Sequence, residues 1–206
     1  MTVDRSAGMW DERYASTDYL YGHEPNEFLT SMASTMLKSG RVLCLADGEG
    51  RNGVFLAQQG FAVTTIDQSK RGVDKARQFA AESGVELDAQ VGDLTTADLG
   101  EQQWDVIVSI FVHMPPDIRA ELHARVVQAL SPGGLFVLEA YTPSQIGRGT
   151  GGPPVPEMTM TLEGLRTELD GLTEEHGVEL VRSVVEGAGH SGDGAVVQYV
   201  GRRPTH

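Results

Sequence analysis

The stretch RVLCLADGEGRNG, residues 41–53, decides the architecture. Its first six residues form a short apolar run that stops at a glycine-rich turn, the pattern of a buried parallel strand. Residues 51–59 carry Val54, Phe55 and Leu56 and read as a helix closed by Gly60. Next comes a second strand, FAVTTID (61–67). Ser69 opens an amphipathic helix over 69–83, with Val73, Ala76, Phe79 and Ala80 on one face and Gly84 at its end. VELDAQVGD (85–93), WDVIVSI (104–110) and LFVLEAY (135–141) supply the third, fourth and fifth strands. A helix over 116–130, stopped by Ser-Pro-Gly-Gly (131–134), separates the last two.

This alternation predicts an α/β fold: a doubly wound, mostly parallel seven-stranded sheet with helices on both faces. A helix over 161–175 precedes VELVRSVVE (178–186) and AVVQYVGR (195–202), whose short glycine-rich connection, 187–194, suits an antiparallel pair. The chain reads as one domain in four parts. Residues 1–40 are a helical cover in which Pro25 opens a second helix and Phe28, Leu29, Met32, Met36 and Leu37 recur at helical spacing. Residues 41–141 are a cofactor-binding core. Residues 142–157 hold four glycines and four prolines and form a lid loop, and 158–206 supply the last helix and strand pair.

The 206 residues suit a single core, and 40% apolar with 22% charged residues is an ordinary globular composition. Sixteen basic against 29 acidic residues give a net charge of −13, a poor surface for nucleic acid or anionic membranes. No apolar run approaches the roughly 18–20 residues needed to span a bilayer, and MTVDRSAGMW lacks the apolar core of a secretory signal. The lone cysteine, Cys44, reads as a small buried hydrophobe and allows no internal disulfide, so a reducing cytoplasm is expected. His23, His123, His176, His190 and His206 share no ligand spacing, so no metal is expected.

The turn contains a literal G-x-G-x-x-G at Gly48, Gly50 and Gly53, and Asp67 ends the next strand 19 residues beyond Gly48. Glycines let backbone approach a ligand, and a carboxylate one strand over can accept from both ribose hydroxyls. The pattern therefore points to a nucleoside-containing cofactor. Asp47 and Glu49 in the turn would repel a pyrophosphate, so a cationic cofactor such as S-adenosylmethionine fits better than a dinucleotide.

The segments VLCLADGEGRN (42–52), VTTIDQS (63–69), VGDL (91–94), WDVIVSIFVH (104–113) and LSPGGLFVLEAY (130–141) resemble class I S-adenosylmethionine-dependent methyltransferases. The segments 10–29 and 142–154 resemble the tellurite-resistance and thiopurine-type branch, which acts on thiols and chalcogens. The resemblance implies that Gly48 and Gly50 pass beneath the cofactor, with Asp47 beside them. Asp67 would hold the ribose, with Gln68 near the adenine. Asp93 would take the adenine amino group and Leu94 would flank the ring. Ser109 and Ile110 would offer main-chain groups near the methionine end, and Trp10, Tyr14 and Tyr21 would fold over the cofactor. The chain departs from the family pattern at Cys44, where many members carry an acid, and at Ala46-Asp47.

Bland readings stand beside these. Asp93 also suits a turn cap, and Trp10 and the tyrosines also suit a hydrophobic seal. His113, Tyr141 and Arg148 are the candidates for catalysis, as base, substrate contact and lid cation. His113 also fits an ordinary helix entry, Tyr141 a core cap and Arg148 a solvated loop. No Lys or His–Asp pair is placed to deprotonate an alcohol, which points to a small acceptor with a soft or already ionised nucleophile. The competing functions are a nicotinamide-dependent oxidoreductase, which lacks a Tyr-x-x-x-Lys pair here, and a non-catalytic S-adenosylmethionine-binding module.

Overall fold

The computed structural model describes residues 7–33, 39–187 and 189–205. Its seven-stranded sheet has the order β3-β2-β1-β4-β5-β7-β6, with β1 (Arg41–Leu45), β2 (Ala62–Asp67), β3 (Asp88–Val91), β4 (Trp104–Ile110), β5 (Leu130–Tyr141), β6 (Thr173–Glu186) and β7 (His190–Arg202). β1 to β5 pair in parallel, and β7 runs antiparallel to both β5 and β6. The expected fold class is the observed one.

Period-two alternation in the central strands feeds two cores. Leu43 and Leu45 of β1 face one side with Ile107, Phe136 and Leu138, where α5 (Pro116–Ala129) and α6 (Leu162–Glu168) add Leu122, Val126 and Leu165. Val42 and Cys44 face the other side with Val106, Val108 and Val137. There α2 (Glu27–Met32) adds Phe28 and Leu29, and α3 (Arg51–Gln58) adds Leu56. Cys44 is 1% exposed and its thiol is pushed well up by burial, as a packing residue's would be. Helix α4 (Lys70–Glu82) is capped as expected: the Ser69 hydroxyl accepts from the Gly72 N–H, and Gly84 follows at φ +69°.

Some boundaries move. β5 begins at Leu130 rather than 135. Trp104 pairs with Leu130 and Val106 with Leu135, so a bulge absorbs residues 131–134. α6 spans only Leu162–Glu168, because Thr173 already pairs with Arg202 and sheet pairing overrides local helical preference. The expected 187–194 connection shrinks to the tip of a long hairpin. Gly194 belongs to β7, where a Cβ would lie 2.9 Å from a Val184 methyl and 3.1 Å from the Tyr141 ring. The third strand shortens to Asp88–Val91. Among the described residues the N-terminal part is helical in α1 (Ala7–Arg13) and α2, with irregular chain between. Met36 and Leu37 lie outside the described residues. The segment 142–157 contains two short 3₁₀ turns, Pro143–Gln145 and Pro156–Met158.

The chain lays β1, β2 and β3 outward in one direction, then returns to place β4 beside β1. That reversal opens a crevice at the carboxyl ends of β1 and β4, where open α/β sheets bind ligands. No described helix is long and apolar enough to cross a membrane.

Candidate functional site

β1 and β4 are each followed directly by a non-glycine residue at positive φ, Ala46 (47°) and Phe111 (55°). Left-handed backbone at such residues costs energy and gathers at functional sites. Both are held by neighbouring strands: the Ala46 N–H donates to Ile66 O at 2.8 Å, and the Phe111 N–H to Glu139 O at 2.8 Å. Between them opens a cavity of about 850 Å³, near the upper end of the roughly 300–1,000 Å³ usual for small-molecule sites.

Asp67, at the end of β2, is 6% exposed and accepts the Gly48 N–H at 2.9 Å and the Ser69 N–H at 2.8 Å. Burial pushes its carboxyl above the usual range, and the two N–H groups pull it back. Asp47 accepts the Gly53 N–H at 2.9 Å. Burial pushes the Asp47 carboxyl up to about 7, opposed by the Gly53 N–H and Arg51 and reinforced by Asp67. Gln68, Asp93 and Leu94 continue this wall toward β3. Asp93 is exposed and also caps its own turn, its carboxylate accepting the Thr95 N–H at 2.8 Å.

The cover comes from the N-terminal segment. Trp10, Tyr14 and Tyr21 all line the cavity. Trp10 stacks on Tyr14 at 5.6 Å, with the Arg13 guanidinium 4.9 Å over the indole. The opposite cover is the segment 151–155 with Met158.

The glycines act differently from expectation. Neither Gly48 nor Gly50 lines the cavity. A Cβ on Gly48 would lie 2.5 Å from the Tyr14 hydroxyl, and one on Gly50 would lie 2.6 Å from the Ala76 methyl. Both sit at positive φ, 57° and 89°. They shape the turn and seat the cover and α4 rather than clear space for a ligand. Glu49 also turns away from the cavity: it accepts the Leu20 N–H at 2.7 Å and pairs with Lys75. Only Asp47 of the two turn carboxylates lines the cavity.

Ser109 is buried inside the sheet, whereas Ile110 reaches the cavity. His113 lines it too. Its Nδ1 lies 2.9 Å from Met158 O, and since a carbonyl only accepts, Nδ1 carries the proton and Nε2 faces the Tyr141 N–H at 3.4 Å. Tyr141 is fully buried and stacked against Phe111 at 4.6 Å, and it does not line the cavity. Burial pushes its phenol well up. Arg148 is exposed, donates to Ser144 O at 2.9 Å, and lies off the cavity. Among the described residues no group of acids, histidines and cysteine could hold a metal.

A buried polar network behind the site is invisible in local patterns. Asn26 donates to Glu139 at 2.6 Å and Glu186 at 2.8 Å, Arg51 pairs with Glu186 at 2.6 Å, and Arg182 pairs with Glu139 at 2.6 Å. Its one sequence signal is Glu139 inside the apolar run LFVLEAY, since a buried carboxylate demands partners.

Residues 42–134 match the methyltransferase domain model. That stretch, a little under half of the chain, is similar to a methyltransferase domain. Over 98 residues the chain is 38% identical to the ubiquinone biosynthesis O-methyltransferase of Paramagnetospirillum magneticum, a stretch covering 47% of this chain and 38% of that protein. The match thus spans well under half of the curated relative. Among solved structures, the fold resembles the protein described for conversion of a disulfide bond into a thioacetal group during echinomycin biosynthesis. There the TM-score is 0.80 at 19% identity, covering 97% of this chain and 92% of that one. It also resembles the N-methyltransferase NodS of Bradyrhizobium japonicum in complex with S-adenosyl-L-homocysteine, with TM-score 0.73 and 18% identity over 98% of this chain and all of that one. The matched stretch contributes β1 to β4 and the turn that bears Asp47; the covers of the cavity come from residues on either side of it.

Proposed function

We propose that this chain binds S-adenosylmethionine in the cavity and transfers the cofactor's methyl group to a small molecule. The observation that carries this reading is the buried Asp67 carboxylate at the cavity wall, beside Asp47 and one strand from Asp93 and Leu94. Each Asp67 oxygen accepts one backbone N–H and keeps a further lone pair for a ribose hydroxyl. Gln68, Asp93 and Leu94 would flank the adenine, and Asp47 would face the cationic methionine portion. The main chain at Ser109 and Ile110 would border the methionine end. Trp10, Tyr14 and Tyr21 would close over it, with Gly48 and Gly50 shaping the turn beneath. A dinucleotide would put its pyrophosphate against Asp47, which disfavours the oxidoreductase reading.

The bound cofactor supplies a methyl group already activated by its sulfonium. The chain's own task is then to align the acceptor and exclude water, and alignment of this kind can supply roughly 7–11 kcal/mol. Beyond the turn, the wall of β4 and the loop offers no Asp, Glu or Lys to an incoming nucleophile. A thiol, with pKa about 8.5, or a chalcogen analogue needs no strong base, which supports an acceptor of that kind. Of the catalytic candidates, His113 is the one whose ring lines this space.

Calorimetry with S-adenosylhomocysteine tests the reading. Asp67→Ala should lose about 1.5–3 kcal/mol of affinity through the charged hydrogen bonds. Unchanged affinity removes the ribose assignment, and a chain that binds the cofactor yet methylates no thiol, phenol or amine favours the non-catalytic module.

A further inference from the structure

The two ends of the cavity differ in chemistry. The end under β1, β2 and β3 carries Asp47, Asp67, Gln68 and Asp93. The end under β4 and the 151–158 segment carries Phe111, Val112, Met114, Ile118, Val155 and Met158. Among the described residues, His113 is the titratable side chain that β4, the loop after it and the 151–158 segment themselves give to the cavity; its Nδ1 proton is committed to Met158 O at 2.9 Å, and Tyr21 of the cover is a neutral phenol whose acidity burial weakens. The two arginines on the cavity wall are engaged by other groups. Arg13 sits over Trp10 on the cover, and Arg51 is paired with Glu186 at 2.6 Å.

We infer that the β4 end takes an apolar aromatic molecule, uncharged apart from the atom to be methylated, of the phenol or thiophenol class. In calling that molecule the acceptor, the inference rests on the function proposed above. Three physical arguments converge. A charged group moved into an apolar enclosure without a partner loses its hydration and gains nothing in exchange. An aromatic ring gains from the rings of Phe111 and His113, which border this end, beyond the area it buries. With no carboxylate or lysine at this end, the acceptor must carry a proton far more acidic than an aliphatic alcohol's, as phenols at about 10 and thiols at about 8.5 do. In the transfer, the acceptor oxygen or sulfur forms a bond to the methyl carbon as the carbon–sulfonium bond breaks. The acceptor's lone pair becomes the new bond, the electron pair of the broken bond stays on the departing thioether sulfur, and the acceptor's proton leaves to solvent.

The test compares 2-naphthol and 2-naphthalenethiol with 6-hydroxynaphthalene-2-sulfonate, a probe of the same ring with a fixed charge. Binding to the full chain is measured by calorimetry, with and without saturating S-adenosylhomocysteine. The uncharged probes should bind at least roughly 100-fold more tightly than the sulfonate. Ile118→Lys, on a half-buried face of α5, should narrow that gap by at least about tenfold at an unchanged melting temperature. Equal binding, tighter binding of the sulfonate, or no binding of either uncharged probe at about 1 mM overturns the inference. If S-adenosylhomocysteine fails to bind while the preference for uncharged probes holds, the methyl-transfer reading falls and the apolar site stands.

Discussion

Replacing Asp47 by Asn separates stability from binding. The Asn oxygen can still accept the Gly53 N–H at 2.9 Å, so the change removes charge and little else. In the folded chain burial holds the Asp47 carboxyl up to about 7, above its ordinary 3.8. The folded state therefore keeps a proton that the unfolded chain releases. The stability linked to that proton is full below about pH 4 and is lost as pH rises through 7. At about 1.4 kcal/mol per tenfold difference in proton affinity, the gap corresponds to about 4 kcal/mol. Partial exposure of the side chain reduces this to about 2 kcal/mol. Asp47→Asn should then melt about 4–8 °C higher than the parent at pH 8, with the advantage fading toward pH 5. Binding should move the opposite way. At pH 8 the parent offers a charge to a cationic ligand and the variant a dipole, a difference of about 1 kcal/mol, or roughly fivefold in S-adenosylmethionine affinity. The assays are thermal unfolding and calorimetry from pH 5 to 8. A variant that is no more stable at pH 8 than its parent, or that gains equally at every pH, refutes the reasoning.

Two further substitutions test the packing. Gly48→Ala should destabilise the chain by about 1–3 kcal/mol through the Tyr14 contact and the positive φ. In the Tyr14→Ala background it should cost at least about 1 kcal/mol less, and strict additivity in urea unfolding argues against the contact. Although burial raises it, hydrogen bonds from His123 and Arg119 hold the Glu168 carboxyl down to about 2. Its contribution is present above its ordinary 4.5 and lost as pH falls through 2, so Glu168→Gln should be less stable than the parent at pH 7 and nearly equal to it at pH 2. A deficit that does not shrink on acidification contradicts the pairing.

The β1–turn–α3 unit and Asp67 are legible in the sequence because their geometry is set by neighbours along the chain. Strand composition marks the central sheet for the same reason, since β1, β4 and β5 are covered on both faces. What would crowd a Cβ on Gly48 and Gly50 is Tyr14 and Ala76, each more than 20 residues away, so that packing role has no local signal. The extra length of β6 and β7 exists only because the strands pair, so no local pattern announces it. The Asn26 bonds to Glu139 and Glu186 join residues 113 and 160 positions apart, beyond the reach of any motif.

That span has a consequence for biosynthesis. The β6–β7 turn packs against the N-terminal cover: a Cβ on Gly187 would strike the backbone of residues 20–22, and one on Gly189 the Tyr21 ring. A ribosome delivers residues 9–24 early, but their dock is completed only when the final hairpin emerges. Until then Tyr21 lacks its partner on the hairpin, while Tyr14 and Leu20 already meet the turn at Gly48 and Glu49. The last latch on the cover is thus set only as synthesis ends.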